Sequence, residues 1–405
     1  MSFLLTQGAS RRLAGVLLSV GCLLFLCGCE SEYPPDLKYS ARTDPLVTGQ
    51  LSGTPTRLDR PGQLSLILVT LEDDRDRSNV ADPANVPPNQ RQELESVLDR
   101  VFGTPLHPQV NADGVSGIED DARQAVANAR QALNLDDVTL ARGSELYRIQ
   151  CLHCHGLTGN GHGPTAPWVN PHPRDYRQGI FKFTSSSQPT GSRKPRRADL
   201  LRTLREGIEG TTMPSFNLLG ADSLEALASY VTHLSMRGQI EYDVMKDLLS
   251  GEAKDTDVLE RVNGHLEAIA RYWKEAESSL IRPDPNVLLP TGKKERGESV
   301  RNGFRLFRDQ SAAGCIGCHK DYGRESTLFF DSWGTIGRPT DLTTGVYRGG
   351  RRPIDFFWRI NSGVNGSNMP LFSNVLSTKD IWDLVNFVQV LPYPKMRQEY
   401  GVEID

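Results

Sequence analysis

The sequence predicts an all-α chain in which one helical module is written twice. A helical spacer joins the copies, and an export signal and a small region of uncertain fold precede them. Two observations predict the repetition. The pentapeptide Cys151-Leu152-His153-Cys154-His155 recurs in kind, 164 positions later, as Cys315-Ile316-Gly317-Cys318-His319. Gly207-Ile208-Glu209-Gly210-Thr211-Thr212-Met213-Pro214 matches Gly363-Val364-Asn365-Gly366-Ser367-Asn368-Met369-Pro370 at an offset of 156, and Arg196 and Asp199 match Arg352 and Asp355 at that same offset. A third observation predicts helix. Leu227, Tyr230, Val231 and Leu234, matched by Leu384, Phe387, Val388 and Leu391, fall three, four and seven apart and so line one helix face.

Taken in order, the chain opens with Arg11 and Arg12 and the apolar run 13–26, which is short for a membrane span and suits an export signal, residues 1–28. Leu26-Cys27-Gly28-Cys29 resembles a bacterial lipobox, which implies lipidation of Cys29 as the new N-terminus. Cys27 departs from the Ala, Ser or Thr usual at its place, and Glu30 rather than Asp follows, which leaves the choice of membrane open. Several acyl chains, at about 0.8 kcal/mol per buried methylene, would make such an anchor close to permanent.

Residues 29–135 read as a tether and N-terminal region. The stretch 33–56 is rich in Pro, Ser, Thr and Gly, which suits an extended linker. Run 63–71 has strand-like length, and 90–102 has helical spacing at Leu94, Val97, Leu98 and Val101 before Gly103. The modules are expected at 136–238 and 296–395, the helical spacer at 239–295 and a tail at 396–405. Leu259, Val262, Leu266, Ile269 and Tyr272 give the spacer its apolar stripe. In each module a helix precedes the Cys motif and carries a glycine four residues before an aromatic: Gly143 and Tyr147, then Gly303 and Phe307. A helical glycine costs about 1 kcal/mol, so the pair predicts another helix crossing closely there.

Each Cys-x-x-Cys-His reads as a c-type haem attachment site. Two thiols on one short turn can add to the two vinyl groups of a porphyrin, and the adjacent imidazole then reaches the iron. Cys151 and Cys154 would supply the thioethers and His155 an axial nitrogen at one site; Cys315, Cys318 and His319 would do so at the other. A four-thiolate zinc site or two disulfides would leave both histidines unexplained. Met213 and Met369, in matched Gly-rich loops each followed by proline, are the candidate sixth ligands; Met236 and Met396 lack that setting and read as core filling.

A carbonyl should accept the other ring proton of each imidazole, from Pro164 or Pro167 in the first module and Pro339 in the second. His153 and His162 read as loop histidines, and His233 as packing or solvent-facing. The basic run 193–197 precedes the first Met loop, and Arg348, Arg351 and Arg352 precede the second. They read as solvated loop, or as charges that steer acidic partners toward haem edges.

On these motifs each half resembles a class I cytochrome c, over about 136–238 and 296–395. The first, with Gly161-His162-Gly163-Pro164 and Pro173-Arg174-Asp175-Tyr176 before Phe181-Lys182-Phe183, is also similar to the cytochrome subunit of alternative complex III assemblies. The resemblance implies an all-helical fold wrapped around each of two covalent haems.

The 405 residues allow two modules and something extra, and a net charge of −4 with interspersed signs excludes a nucleic-acid footprint. The expectation is an exported, lipid-anchored dihaem cytochrome c on the periplasmic side of a membrane, an electron carrier rather than an enzyme. Its partners would be redox proteins: a quinol-oxidising respiratory complex or dehydrogenase as donor, and an oxidase or soluble cytochrome as acceptor. A dihaem peroxidase or a haem-based redox or gas sensor is the alternative. The peroxidase would need an iron with an open or releasable sixth position, which two matched methionines argue against; the sensor would bind carbon monoxide or nitric oxide readily at one haem and want an output domain, for which the sequence gives no sign.

Overall fold

Capping chemistry already present in the sequence sets where the helices begin. The computed structural model describes residues 33–53, 55, 78–189, 191–250, 257–287, 289–325 and 327–404. The export signal, Cys29 and the run 63–71 lie outside them. Helix α1 (Pro88–Phe102) starts on proline and stops at Gly103, and α2 (Asp120–Ala132) carries Asp120 and Asp121 at its positive end. In α3 (Asp137–Gln150) the Asp136 carboxylate accepts the Thr139 N–H at 3.0 Å. There follow α4 (Leu152–His155), α5 (Arg197–Glu206), α6 (Ala221–Leu249), α7 (Val258–Ser278), α8 (Lys293–Arg308), α9 (Pro353–Ser362), α10 (Thr378–Val390) and α11 (Pro394–Tyr400). Besides short 3₁₀ turns there are two antiparallel ladders among the described residues: β1 (Leu46–Val47) with β2 (Val80–Ala81), and β3 (Phe329–Phe330) with β4 (Ile336–Gly337).

The described residues from Tyr39 onward form one compact unit. It holds two main buried cores, one drawn from residues 39–273 and one from 281–402. In the first, α3 crosses α6; in the second, α8 crosses α10. The glycines expected to permit close approach sit at these crossings. A Cβ on Gly143 would lie 2.2 Å from the Ala226 carbonyl oxygen, and one on Gly303 would lie 2.0 Å from that of Asp383. The paired aromatics fill the adjoining space, Tyr147 against Tyr230 at 5.3 Å and Phe307 against Phe387 at 5.4 Å.

Three sequence boundaries need correction. The segment expected as a loose tether is packed from Tyr39 onward. The Tyr39 hydroxyl pairs with that of Tyr230 at 3.0 Å, and the Arg42 N–H donates to Glu241 at 3.1 Å. Helix α6 does not end near 238, because Ile240, Val244 and Met245 continue its buried face to Leu249. The second core takes in Tyr400 and Val402, so the stretch expected as a tail is packed through its described residues 396–404. The spacer helix α7 packs against α1, α2 and α6, which ties the N-terminal region to the first half. Its buried stripe holds Val262, Leu266 and Ile269 as expected, with Trp273 in the place where Tyr272 was read.

Candidate functional site

The first Cys motif begins where α3 ends. The Cys151 N–H still donates to the Tyr147 carbonyl at 2.8 Å, and α4 then turns His155 inward. His155 is buried and stacks on Tyr176, ring centroids 4.8 Å apart. Its Nδ1–H donates to the Arg174 carbonyl at 3.1 Å, and Nε2 makes no hydrogen bond among the described residues. Burial pushes the imidazole down to about 4 against that bond's pull, so the ring is neutral, the form that ligates iron.

The second motif follows the same plan in a looser frame. Residues Cys315–Gly317 form a 3₁₀ turn, and the His319 Nδ1–H donates to the Thr340 carbonyl at 3.0 Å. Burial lowers the His319 pKa as well. The first thiol of each motif is shielded, and burial pushes both Cys151 and Cys315 up to about 12. Neither pair is joined in a disulfide. Among the described residues no three His, Cys, Asp or Glu converge as a metal cluster, so the four thiols do not meet in one zinc site. Two free thiols on one turn beside an imidazole with Nδ1 occupied and Nε2 available is a donor set that fits covalent haem.

The acceptors are not those read from sequence. In place of Pro164, Pro167 and Pro339, the chain presents Arg174 and Thr340, each the residue after a proline. Pro164 is exposed, and residues 166–168 are bound up in a 3₁₀ turn, so the chain comes back to the ring only further on.

The two Met loops share their hydrogen bonds one for one. Ile208 N–H donates to Met213 O at 3.1 Å and Val364 N–H to Met369 O at 3.2 Å. Met213 N–H donates to the Thr211 hydroxyl at 3.1 Å and Met369 N–H to that of Ser367 at 3.2 Å. Gly207 and Gly363 enter the loops at φ +69° and +71°, where a Cβ would strike the Met and Pro backbone. Both methionines are partly buried against their own core. Met236 is fully buried and Met396 partly so, as filling residues should be.

The basic run 193–197 is packed rather than solvated. Arg193 donates to the Ser362 carbonyl, Lys194 Nζ to Gly179 O at 2.8 Å and Gln239 Oε1 at 2.7 Å, and Arg197 pairs with Glu225. Arg351 pairs with Glu209 and Arg352 with Asp355. Arg193, Lys194 and Arg197 are thus held by internal partners, while the Arg351 and Arg352 side chains remain more than half exposed beside theirs. His233 is packed, its Nε2–H donating to Phe102 O at 2.8 Å; His153 is exposed, and His162 sits half-buried 5.5 Å from the His172 ring.

Residues 138–231 match the family model of cytochrome c oxidase, cbb3-type, subunit III. This span holds Cys151, Cys154, His155 and Met213, and it carries a cytochrome c family domain, which implies covalently bound haem c and supports electron transfer. No curated protein matches the chain. A solved chain of the reducing HAO-like protein complex of Kuenenia stuttgartiensis aligns at a TM-score of 0.46 and 23% identity, covering 62% of this chain and 95% of that one. Among the described residues no helix is long and apolar enough to cross a membrane.

Proposed function

We propose that the chain is a dihaem c electron carrier, exported and held at a membrane by lipid on Cys29. In this reading each half is a class I cytochrome c module, and single electrons pass from a quinol-oxidising complex or dehydrogenase to an oxidase or soluble cytochrome. The observation that carries it is the shared architecture of the two halves: thiol pair, imidazole pinned through Nδ1, and methionine loops with the same hydrogen bonds.

Bound haem supplies one-electron chemistry between ferric and ferrous iron. Cys151 and Cys154, and Cys315 and Cys318, would anchor it through thioethers. His155 and His319 would offer Nε2, held in orientation by the Arg174 and Thr340 carbonyls. Met213 and Met369 would offer thioether sulfur, which raises the potential and keeps external ligands off the iron. The helices crossing at Gly143 and Gly303 exclude water from one side of each site.

Pyridine haemochrome and intact mass of the matured chain test this: two haems per chain are expected, with one lost in Cys151→Ser/Cys154→Ser and the other in Cys315→Ser/Cys318→Ser. Replacing Met213 or Met369 by Ala should each remove half of the ferric thioether band in the far red. A chain with one haem, or with high-spin iron before any substitution, contradicts the reading.

A further inference from the structure

The first site is completed by a side chain from the second half. We infer that Trp333 is a positioning residue for His155: it fixes the peptide whose carbonyl accepts the His155 Nδ1–H. This rests on the haem reading of the first motif and goes beyond it.

Trp333 is buried at the turn between β3 and β4, where the Asp331 carboxylate accepts the N–H groups of Trp333 and Thr335 at 3.1 and 3.0 Å. The indole makes two contacts that bracket the 174–175 peptide. Its ring face lies under the Arg174 guanidinium, Cζ 3.6 Å from the ring centroid, and its Nε1–H donates to the Asp175 carbonyl at 3.0 Å. Asp331 lies 3.7 Å from the same guanidinium and accepts from Lys182 at 3.1 Å. The residues on both sides of this peptide are thereby held, so the segment cannot shift away from His155 without dislodging the arginine from the ring or the Asp175 carbonyl from the indole N–H. The Asp175 carboxylate is held separately by Arg177, at 2.9 Å. Trp333 adds a hold on the backbone carbonyl of Asp175 and on the Arg174 side chain.

The same indole supports the second Met loop. A Cβ on Gly366 would lie 2.5 Å from the Trp333 ring, and the Ser332 N–H donates to Gly366 O at 3.0 Å. One wedge thus touches the acceptor of His155 and the loop that bears Met369. The second site has a local equivalent instead, since Gly323 packs beneath the Thr340 carbonyl, where a Cβ would sit 2.2 Å away. A firmly held acceptor strengthens the Nδ1–H bond, makes the imidazole a stronger donor and favours ferric iron.

The test compares full-length protein with Trp333→Phe, which keeps the ring face and loses the N–H, and Trp333→Ala, which loses both. Haem at the first motif is first verified by mass; its absence defeats the haem reading and this inference together. A chain with haem at the first motif only defeats the dihaem reading alone. The readouts are exchange of the hyperfine-shifted imidazole N–H signals and the potential of the first haem. Expected is His155 Nδ1–H exchange about tenfold faster in Trp333→Ala, the effect of one modest hydrogen bond, with a smaller change in Trp333→Phe. The first potential should rise in the same order, and His319 exchange should hold. Unchanged His155 exchange in Trp333→Ala overturns the inference. So does equal acceleration at His155 and His319, which would mark general loosening.

Discussion

The two halves present one donor set in two different settings. At the first motif, α4 is a full helical turn, Cys151 and His155 are buried, and the surrounding core draws on the N-terminal segment and α7. At the second, the turn is 3₁₀, Cys318 is exposed, and two residues just after His319, Asp321 and Tyr322, take left-handed φ of +47° and +58°. Those conformations are strained for residues other than glycine. In the proposed reading the ligands are the same at both motifs while enclosure varies. Enclosure disfavours the ferric state, which carries one more positive charge, so on the proposed dihaem reading one module would be tuned to two potentials without changing its ligands.

The largest expected effect tests whether the bigger core matters. Gly143→Ala and Gly303→Ala introduce the same clash with a helix carbonyl, 2.2 and 2.0 Å away, and each should cost about 3 kcal/mol. The first crossing is buttressed from outside its own module by Tyr39, with His233 stacked on Tyr230, whereas at the second Phe387 is flanked by Phe304 and Tyr322 from within the module. Haem occupancy by mass should therefore fall further at the second motif in Gly303→Ala than at the first in Gly143→Ala. Equal losses would erase the contrast.

Acid should loosen the first half before the second. His233 is fully buried, and burial pushes it down to about 4 from its ordinary value of 6.5, so the folded state resists its protonation. The unfolded chain binds the extra proton between those values. Stability is therefore fully present above pH 6.5 and is lost as pH falls toward 4, by about 3 kcal/mol. The equivalent position in α10 is Val390, which cannot titrate. Urea midpoints at pH 7 and pH 4.5 should differ less in His233→Gln than in the unsubstituted protein. An unaltered pH dependence would remove His233 from the account.

A smaller effect concerns the seam between the halves. Arg202 donates to the buried Asp355 at 2.8 Å, while Arg352 holds the same carboxylate from its own helix. Arg202→Ala should cost about 2 kcal/mol, because the carboxylate keeps one cationic partner. Thermal melts would show a single transition splitting in two if Arg202 couples the halves, and a uniform downward shift if it does not.

Much of this was legible in local sequence. Cys151, Cys154 and His155 fall on one turn because their spacing demands it, and Gly143 and Gly303 marked the crossings because a helical glycine needs a reason. The Met loops could be paired because Gly207 and Gly363 open them in a conformation few residues adopt. What was misread depended on distant partners. Arg193 and Lys194 look like solvated charge until Ser362 and Gln239 are folded against them. The Arg174 and Thr340 carbonyls have no side-chain signature at all, since every residue owns a carbonyl. Nothing around Trp333 marks it as a wedge, because the groups it holds beside His155 lie more than 150 positions away in Arg174 and Asp175.

The most direct test of the central claim is an equilibrium redox titration of the full chain beside the Cys315→Ser/Cys318→Ser variant, which keeps only the first attachment site. The account predicts two one-electron steps of equal amplitude in the unsubstituted protein, with the higher-potential step retained in the variant. Retention of the lower step, or a single step of full amplitude in the unsubstituted chain, would contradict it.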